Sequence, residues 1–116
     1  MKYDNLLRSK KFNICIWGSG YIGLSTAVYF SKKGIRCLTL DVDKNKVKKI
    51  NKGILPIPEL KTWFGFDIKN LVKTKYLRAS SNLDEAINSK YLVHFIAIPT
   101  EKDGKPYFVI LKKIIQ

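Results

Sequence analysis

The sequence predicts an α/β fold: a doubly wound parallel sheet of about four strands, order 3-2-1-4, left incomplete on one side. Three observations carry that reading. Short apolar runs alternate with helix-forming stretches, as successive βαβ units require. The first run, Ile14 to Trp17, breaks at once into Gly18-Ser19-Gly20-Tyr21-Ile22-Gly23 and then into a mostly apolar helix. A second run, Ile35 to Leu40, ends at Asp41, an acid roughly twenty residues beyond the glycines.

Each element follows from its residues. Residues 1–11 are polar and basic, a frayed lead-in or a short helix around Leu6 and Leu7. Residues 12–116 make the domain. After the first strand, a helix from about Ile22 to Lys33 buries Leu24, Ala27, Val28 and Ser31, and Gly34 caps it. Asp43 caps a second helix, Lys44 to about Lys52, with Val47 and Ile50 inward and Gly53 as its stop. Pro56 and Pro58 hold 54–60 in an extended loop. Between Leu60 and Val72, Gly65 and Asp67 interrupt the helical spacing. One broken helix or two short ones is expected there, with Trp63, Phe64 and Phe66 covering the core.

Tyr76 to Ala79 reads as the third strand. Ser81 or Asn82 then caps a short helix, with Asp84 or Glu85 completing a capping box. Tyr91 to Ile98, the longest apolar run, is strand four, expected to be buried on both faces. His94, the only histidine, is expected inside the sheet as a packed side chain. Asp103-Gly104 marks a turn. Pro106 suits the first position of a last helix, with Phe108, Leu111 and Ile115 as its buried stripe.

The glycine turn carries the chemistry. Gly18 permits a sharp exit from the strand, Gly20 lets backbone approach a diphosphate, and Gly23 lets the helix pack close to the sheet. The helix's free N–H groups and positive dipole end then face that diphosphate. Asp41 is placed to grip an adenosine ribose diol, and the crevice between strands one and four is where a dinucleotide lies. A Rossmann-like domain with NAD as its cofactor is the resulting expectation. A 2′-phosphate would meet the charge of Asp41, which favours NAD over NADP, although Lys46 and its neighbours pull the other way.

Composition narrows the setting. At 116 residues the chain has room for one small domain. The net charge of +13 invites a nucleic-acid hypothesis. Yet the lysines are spread along the chain and arginine is scarce, so no specific nucleic acid is expected, only attraction to anionic nucleotides. Neither a signal peptide nor a membrane helix is expected, and the cytoplasm is the expected compartment. Cys15 and Cys37 lie in the first two strands and read as small core residues rather than a disulfide or nucleophiles.

These residues also resemble a known family. Gly-Ser-Gly-Tyr-Ile-Gly-Leu (18–24), Asp-Val-Asp (41–43), Val47, Ile50-Asn51-Lys52-Gly53, Pro56-Ile57 and Pro99-Thr100 are similar to the N-terminal domain of UDP-glucose/GDP-mannose dehydrogenases. The resemblance runs from about Phe12 to the end. The family's Pro-Gly step is missing after Glu59, Leu92 stands where an acid is usual, and Glu101 stands where a second proline is usual.

The resemblance implies an NAD-dependent oxidation of a nucleotide sugar's C6 alcohol to a carboxylate, on a sugar of the UDP-glucose, UDP-N-acetylhexosamine or GDP-mannose type. It implies that Gly18, Ser19, Gly20, Tyr21, Ile22 and Gly23 wrap the pyrophosphate, that Asp41 holds the ribose and that Lys46 helps at the adenosine end. Ile98, Pro99 and Thr100 would line the cofactor further along. The family's cysteine nucleophile and its lysine match nothing here, so no catalytic residue and no metal ligand is assigned. Turnover is expected only when the catalytic and substrate domains complete this part, a second chain being one way to supply them. The open edge at 91–98 would otherwise drive self-association. The alternative is a stand-alone or degenerate nucleotide-binding module without catalysis.

Overall fold

A computed structural model of the protein describes residues 12–65, 67–88, 91, 93–98, 101–102 and 105–106. The chain runs β1 (Asn13–Trp17), α1 (Tyr21–Lys32), β2 (Arg36–Leu40), α2 (Lys44–Asn51), α3 (Leu60–Phe64) and α4 (Lys69–Lys73). It continues through β3 (Leu77–Ser80), α5 (Asp84–Asn88), β4 (Val93–Ile96), β5 (Glu101–Lys102) and β6 (Lys105–Pro106). The first four strands form one parallel sheet in the order β3-β2-β1-β4, as expected. Ile14 lies opposite Cys37 and Val93, and Trp17 opposite Leu40 and Ile96. The three strands therefore end level, and their C-terminal edge is where the glycine turn and Asp41 emerge.

Both faces of the central strands β1 and β2 are covered, so all but the first residue of each is buried. On one face Ile14, Ile16, Cys37, Leu77 and Ala79 pack with Leu24, Ala27 and Val28 of α1, Ile50 of α2, Leu60 and Ile68. On the other, Cys15, Trp17, Leu38 and Leu40 pack with Ala86 of α5. The two cysteines thus lie on opposite faces, each buried and free. Burial pushes the Cys15 thiol up to about 12 and that of Cys37 up to about 11, so neither forms a thiolate near neutrality.

Several local expectations are corrected. β4 is not buried on both faces: Phe95 and Ile96 are 39% and 44% exposed. Among the described residues β4 pairs only with β1, and α5 spans only five residues. His94 is accordingly exposed rather than interior, and its Nδ1 accepts a bond from Trp17 Nε1–H at 3.1 Å. Trp63 does not cover the core. It is 69% exposed, its ring centroid 6.0 Å from that of Tyr21.

The 54–60 loop is not extended throughout, because the N–H groups of Leu60, Lys61 and Thr62 bond to the carbonyls of Ile57, Pro58 and Glu59. Those successive turns lead into α3, and Gly65 separates it from α4, giving two short helices. The capping box does not form. Asn82 Oδ1 accepts from Asp84 N–H at 3.0 Å, but the Glu85 carboxylate turns back to the Ser80 hydroxyl and the Arg78 guanidinium. The Ser80 hydroxyl first, and then Arg78, hold that carboxyl below its ordinary range. Pro106 starts no helix; it pairs with Glu101 in an antiparallel bridge. Leu6, Leu7, Phe66, the Asp103-Gly104 turn, Phe108, Leu111 and Ile115 lie outside the described residues.

Asn51 closes the outer edge of the sheet. Its Nδ2 donates to the Ala79 carbonyl and its Oδ1 accepts from Ala79 N–H, both at 2.9 Å. One side chain thereby takes the place of a neighbouring strand along β3.

Candidate functional site

The turn between β1 and α1 is clamped on three sides. Gly18 N–H donates to the Leu40 carbonyl at 2.7 Å, and Thr39 Oγ1 donates to the Gly18 carbonyl at 3.3 Å. Gly18 has φ +114°, and a Cβ there would lie 2.3 Å from the Ala97 carbonyl oxygen. A Cβ at Gly23 would lie 2.1 Å from the Gly18 carbonyl oxygen. Backbone thus excludes a side chain at both positions, one beside β4 and the other where α1 meets the turn.

Gly20 is different. Its φ of −76° is open to any residue, and a side chain there would meet nothing within 4 Å among the described residues. Neither strain nor the fold requires glycine at this position. The space kept clear lies in front of the α1 N-terminus. The helical ladder begins with Leu24 N–H to the Gly20 carbonyl at 2.9 Å. The amides of Tyr21, Ile22 and Gly23 therefore have no carbonyl one turn back. No acid occupies the first turn and no side chain caps it, so the helix end presents positive potential outward. Tyr21 and Ile22 are exposed beside it. Trp17 packs on the face of the sheet opposite α1, with Cys15, Leu38, Leu40 and Ala86.

Asp41 points back at this turn. Its Oδ2 accepts from Ser19 N–H at 3.1 Å and from Ser19 Oγ at 2.5 Å, while its Oδ1 accepts from Asp43 N–H at 2.9 Å. Asp43 caps α2 through the N–H groups of Asn45 and Lys46, which sets Lys46, half-buried, in the first turn of that helix. Ile98 is half-buried against the Trp17 cluster at the far side of the turn. Residues 18–23, Asp41, Lys46 and Ile98 thus gather along one edge of the sheet. Pro99 and Thr100 lie outside the described residues.

Sequence reasoning missed the Ser19–Asp41 bonds and the Asn51 clasp. The signal for the first was available, since the parallel register that pairs Trp17 with Leu40 brings the next residues of both strands side by side. A cleft of about 340 Å³ between Leu55, Pro58, Lys61 and Ile68 lies elsewhere, away from the turn. Among the described residues no cluster of His, Cys, Asp or Glu is arranged to hold a metal, and no helix is long and apolar enough to cross a membrane.

The fold has counterparts among known proteins. Residues 12–115 match the profile described as the UDP-glucose/GDP-mannose dehydrogenase family, NAD binding domain. A UDP-glucose 6-dehydrogenase of Campylobacter jejuni is 38% identical over 87% of this chain, and the chain spans 25% of its length. A UDP-N-acetyl-D-mannosamine dehydrogenase of the same species is 37% identical over 81% of the chain and 22% of its own length. Among solved structures, a UDP-D-ManNAc dehydrogenase from Pyrococcus horikoshii superposes with a TM-score of 0.74 at 27% identity, covering 89% of this chain and 24% of that one. A GDP-mannose dehydrogenase from Pseudomonas aeruginosa gives 0.72 at 27% identity, covering 87% of this chain and 23% of that one.

Proposed function

The chain belongs to the UDP-glucose/GDP-mannose dehydrogenase family, over its NAD-binding domain, and on that footing we propose that it binds NAD as the cofactor-holding part of a nucleotide-sugar 6-dehydrogenase. The observation that carries the proposal is Gly20. Glycine there serves neither backbone strain nor internal packing, and it clears space at a helix end whose amides face outward. A diphosphate fits such a place in size and charge.

In this reading residues 18–23 wrap the diphosphate, Asp41 accepts from the ribose diol and Lys46 supplies positive charge at the adenosine end. Ile98, Pro99 and Thr100 line the cofactor towards the nicotinamide. The dinucleotide, when bound, supplies a hydride acceptor. The chain's own residues orient it across the strand ends. Oxidation of the sugar's C6 alcohol to a carboxylate is assigned to residues beyond this chain, since both cysteines are buried with raised pKa values. The edge from Tyr91 to Ile98, with Phe95 and Ile96 exposed, is the proposed contact for the remaining domains or for a second copy. The cytoplasm is the proposed compartment, its reducing conditions suiting two free thiols. The same cysteine observation favours, as the second reading, a nucleotide-binding module without catalysis of its own.

Calorimetric titration with NAD⁺ tests the proposal. Wild type is expected to bind, and Asp41→Ala to weaken binding by about 1–3 kcal/mol, or roughly ten- to a hundredfold, through loss of the ribose acceptor. Absence of heat at millimolar NAD⁺ would remove the cofactor role.

A further inference from the structure

An acid waiting to grip a diol is expected to stand free. Asp41 does not. Three donors already hold it, two from Ser19 on Oδ2 and one from Asp43 N–H on Oδ1. Ser19 is itself only 1% exposed, fixed between the clamped Gly18 and the helix-capping Gly20. Its hydroxyl points at the carboxylate rather than at the space in front of the helix.

The consequence is electrostatic. None of the three donors is cationic, so no ion pair opposes the carboxylate, and the three bonds fix its orientation. A carboxylate offers about four acceptor positions, and with three in use it still has room for a ribose hydroxyl. A 2′-phosphate brings acceptor oxygens and about two negative charges to the same place. Lys44 and Lys46, in the first turn of α2, would attract that phosphate. They would prevail if the carboxylate swung aside. Ser19 holds its Oδ2 towards the turn, while Asp43 N–H holds Oδ1.

We propose that Ser19 is a positioning residue that acts through Asp41 Oδ2 and sets the preference for a dinucleotide with a free 2′-hydroxyl over its 2′-phosphorylated counterpart. Its amide N–H is committed to the acid, so within the 18–23 turn that wraps the diphosphate the donors are the amides of Gly20, Tyr21 and Ile22, and Ser19 contributes only turn backbone. The inference rests on the cofactor reading given above and assigns Ser19 a part in it distinct from direct phosphate contact.

A double-mutant cycle on the full chain tests it, with NAD⁺ and NADP⁺ titrated separately by calorimetry into wild type, Ser19→Ala, Asp41→Ala and the double variant. Loss of one charge-assisted bond is expected to narrow the ratio of the two affinities by roughly tenfold in Ser19→Ala. In the Asp41→Ala background the same change is expected to leave the ratio where it is, because nothing remains to be positioned. Ser19→Cys, with a weaker donor at the same place, is expected to fall between wild type and alanine, and serves if the alanine variant does not fold. NAD⁺ binding with an unchanged ratio in Ser19→Ala, or an equal change in both backgrounds, would overturn this inference alone. Failure of wild type to bind NAD⁺ would overturn it together with the cofactor reading.

Discussion

Gly18→Ala is expected to destabilise the domain by about 2–5 kcal/mol, summing an unfavourable backbone region and overpacking. Alanine at φ +114° is strained before any neighbour is considered. Its Cβ would then meet the Ala97 carbonyl oxygen at 2.3 Å, and that oxygen belongs to backbone that cannot swing away. Ala97 N–H bonds to the Trp17 carbonyl at 2.8 Å, so relief requires parting β4 from β1. Against a typical total of about 5–15 kcal/mol, such a loss shifts the urea midpoint far, with the slope unchanged. A midpoint within error of wild type would mean that the turn is not clamped as described.

Gly20→Ala is expected to do the reverse: leave the fold nearly intact and weaken cofactor binding severely. The backbone at Gly20 is ordinary and the surroundings are open, so only the difference in helix N-cap preference remains, under about 1 kcal/mol. A methyl group there stands in the space assigned to the diphosphate and would hold it off the amides of Tyr21 and Ile22. A loss of NAD⁺ affinity of roughly a hundredfold or more is expected, since displacement by one methyl group removes several charge-assisted bonds together. Thermal unfolding and calorimetry on one preparation separate the two effects. A variant that unfolds early, or one that binds NAD⁺ normally, would contradict the assignment. Glycines two residues apart thus have opposite predicted phenotypes, one read in stability and the other in binding.

The turn and the sheet order were legible because each rests on local chemistry. Glycine spacing, an acid closing the second strand and right-handed crossovers are all written along the chain. Asp43 capping α2, and Gly65 separating α3 from α4, follow from neighbouring residues in the same way. What escaped depended on contacts between distant residues. Ser19 meets Asp41 across 22 positions, a contact signalled only through the β1–β2 register, and Asn51 meets Ala79 across 28 with no such signal. β4 misled for a related reason. Its apolar run reads as a strand covered on both faces, but coverage is a property of neighbours, and Phe95 and Ile96 remain exposed. Trp63 misled because large aromatics usually bury themselves, while here the ring lies over Tyr21 on the surface. Glu85 had two uses open to it, and the hydroxyl of Ser80 with the charge of Arg78 outweighed the helix cap.

In the proposed function, main-chain amides at the start of α1 receive a dinucleotide's diphosphate. Amide chemical-shift mapping of the ¹⁵N-labelled chain during NAD⁺ titration observes those groups directly. The expected result is saturable shifts concentrated on Gly20, Tyr21 and Ile22 and on Asp41 to Asp43, with Gly53 and Lys69 at the distant cleft unmoved. Shifts centred on that cleft instead, or a spectrum unchanged at saturating NAD⁺, would contradict it.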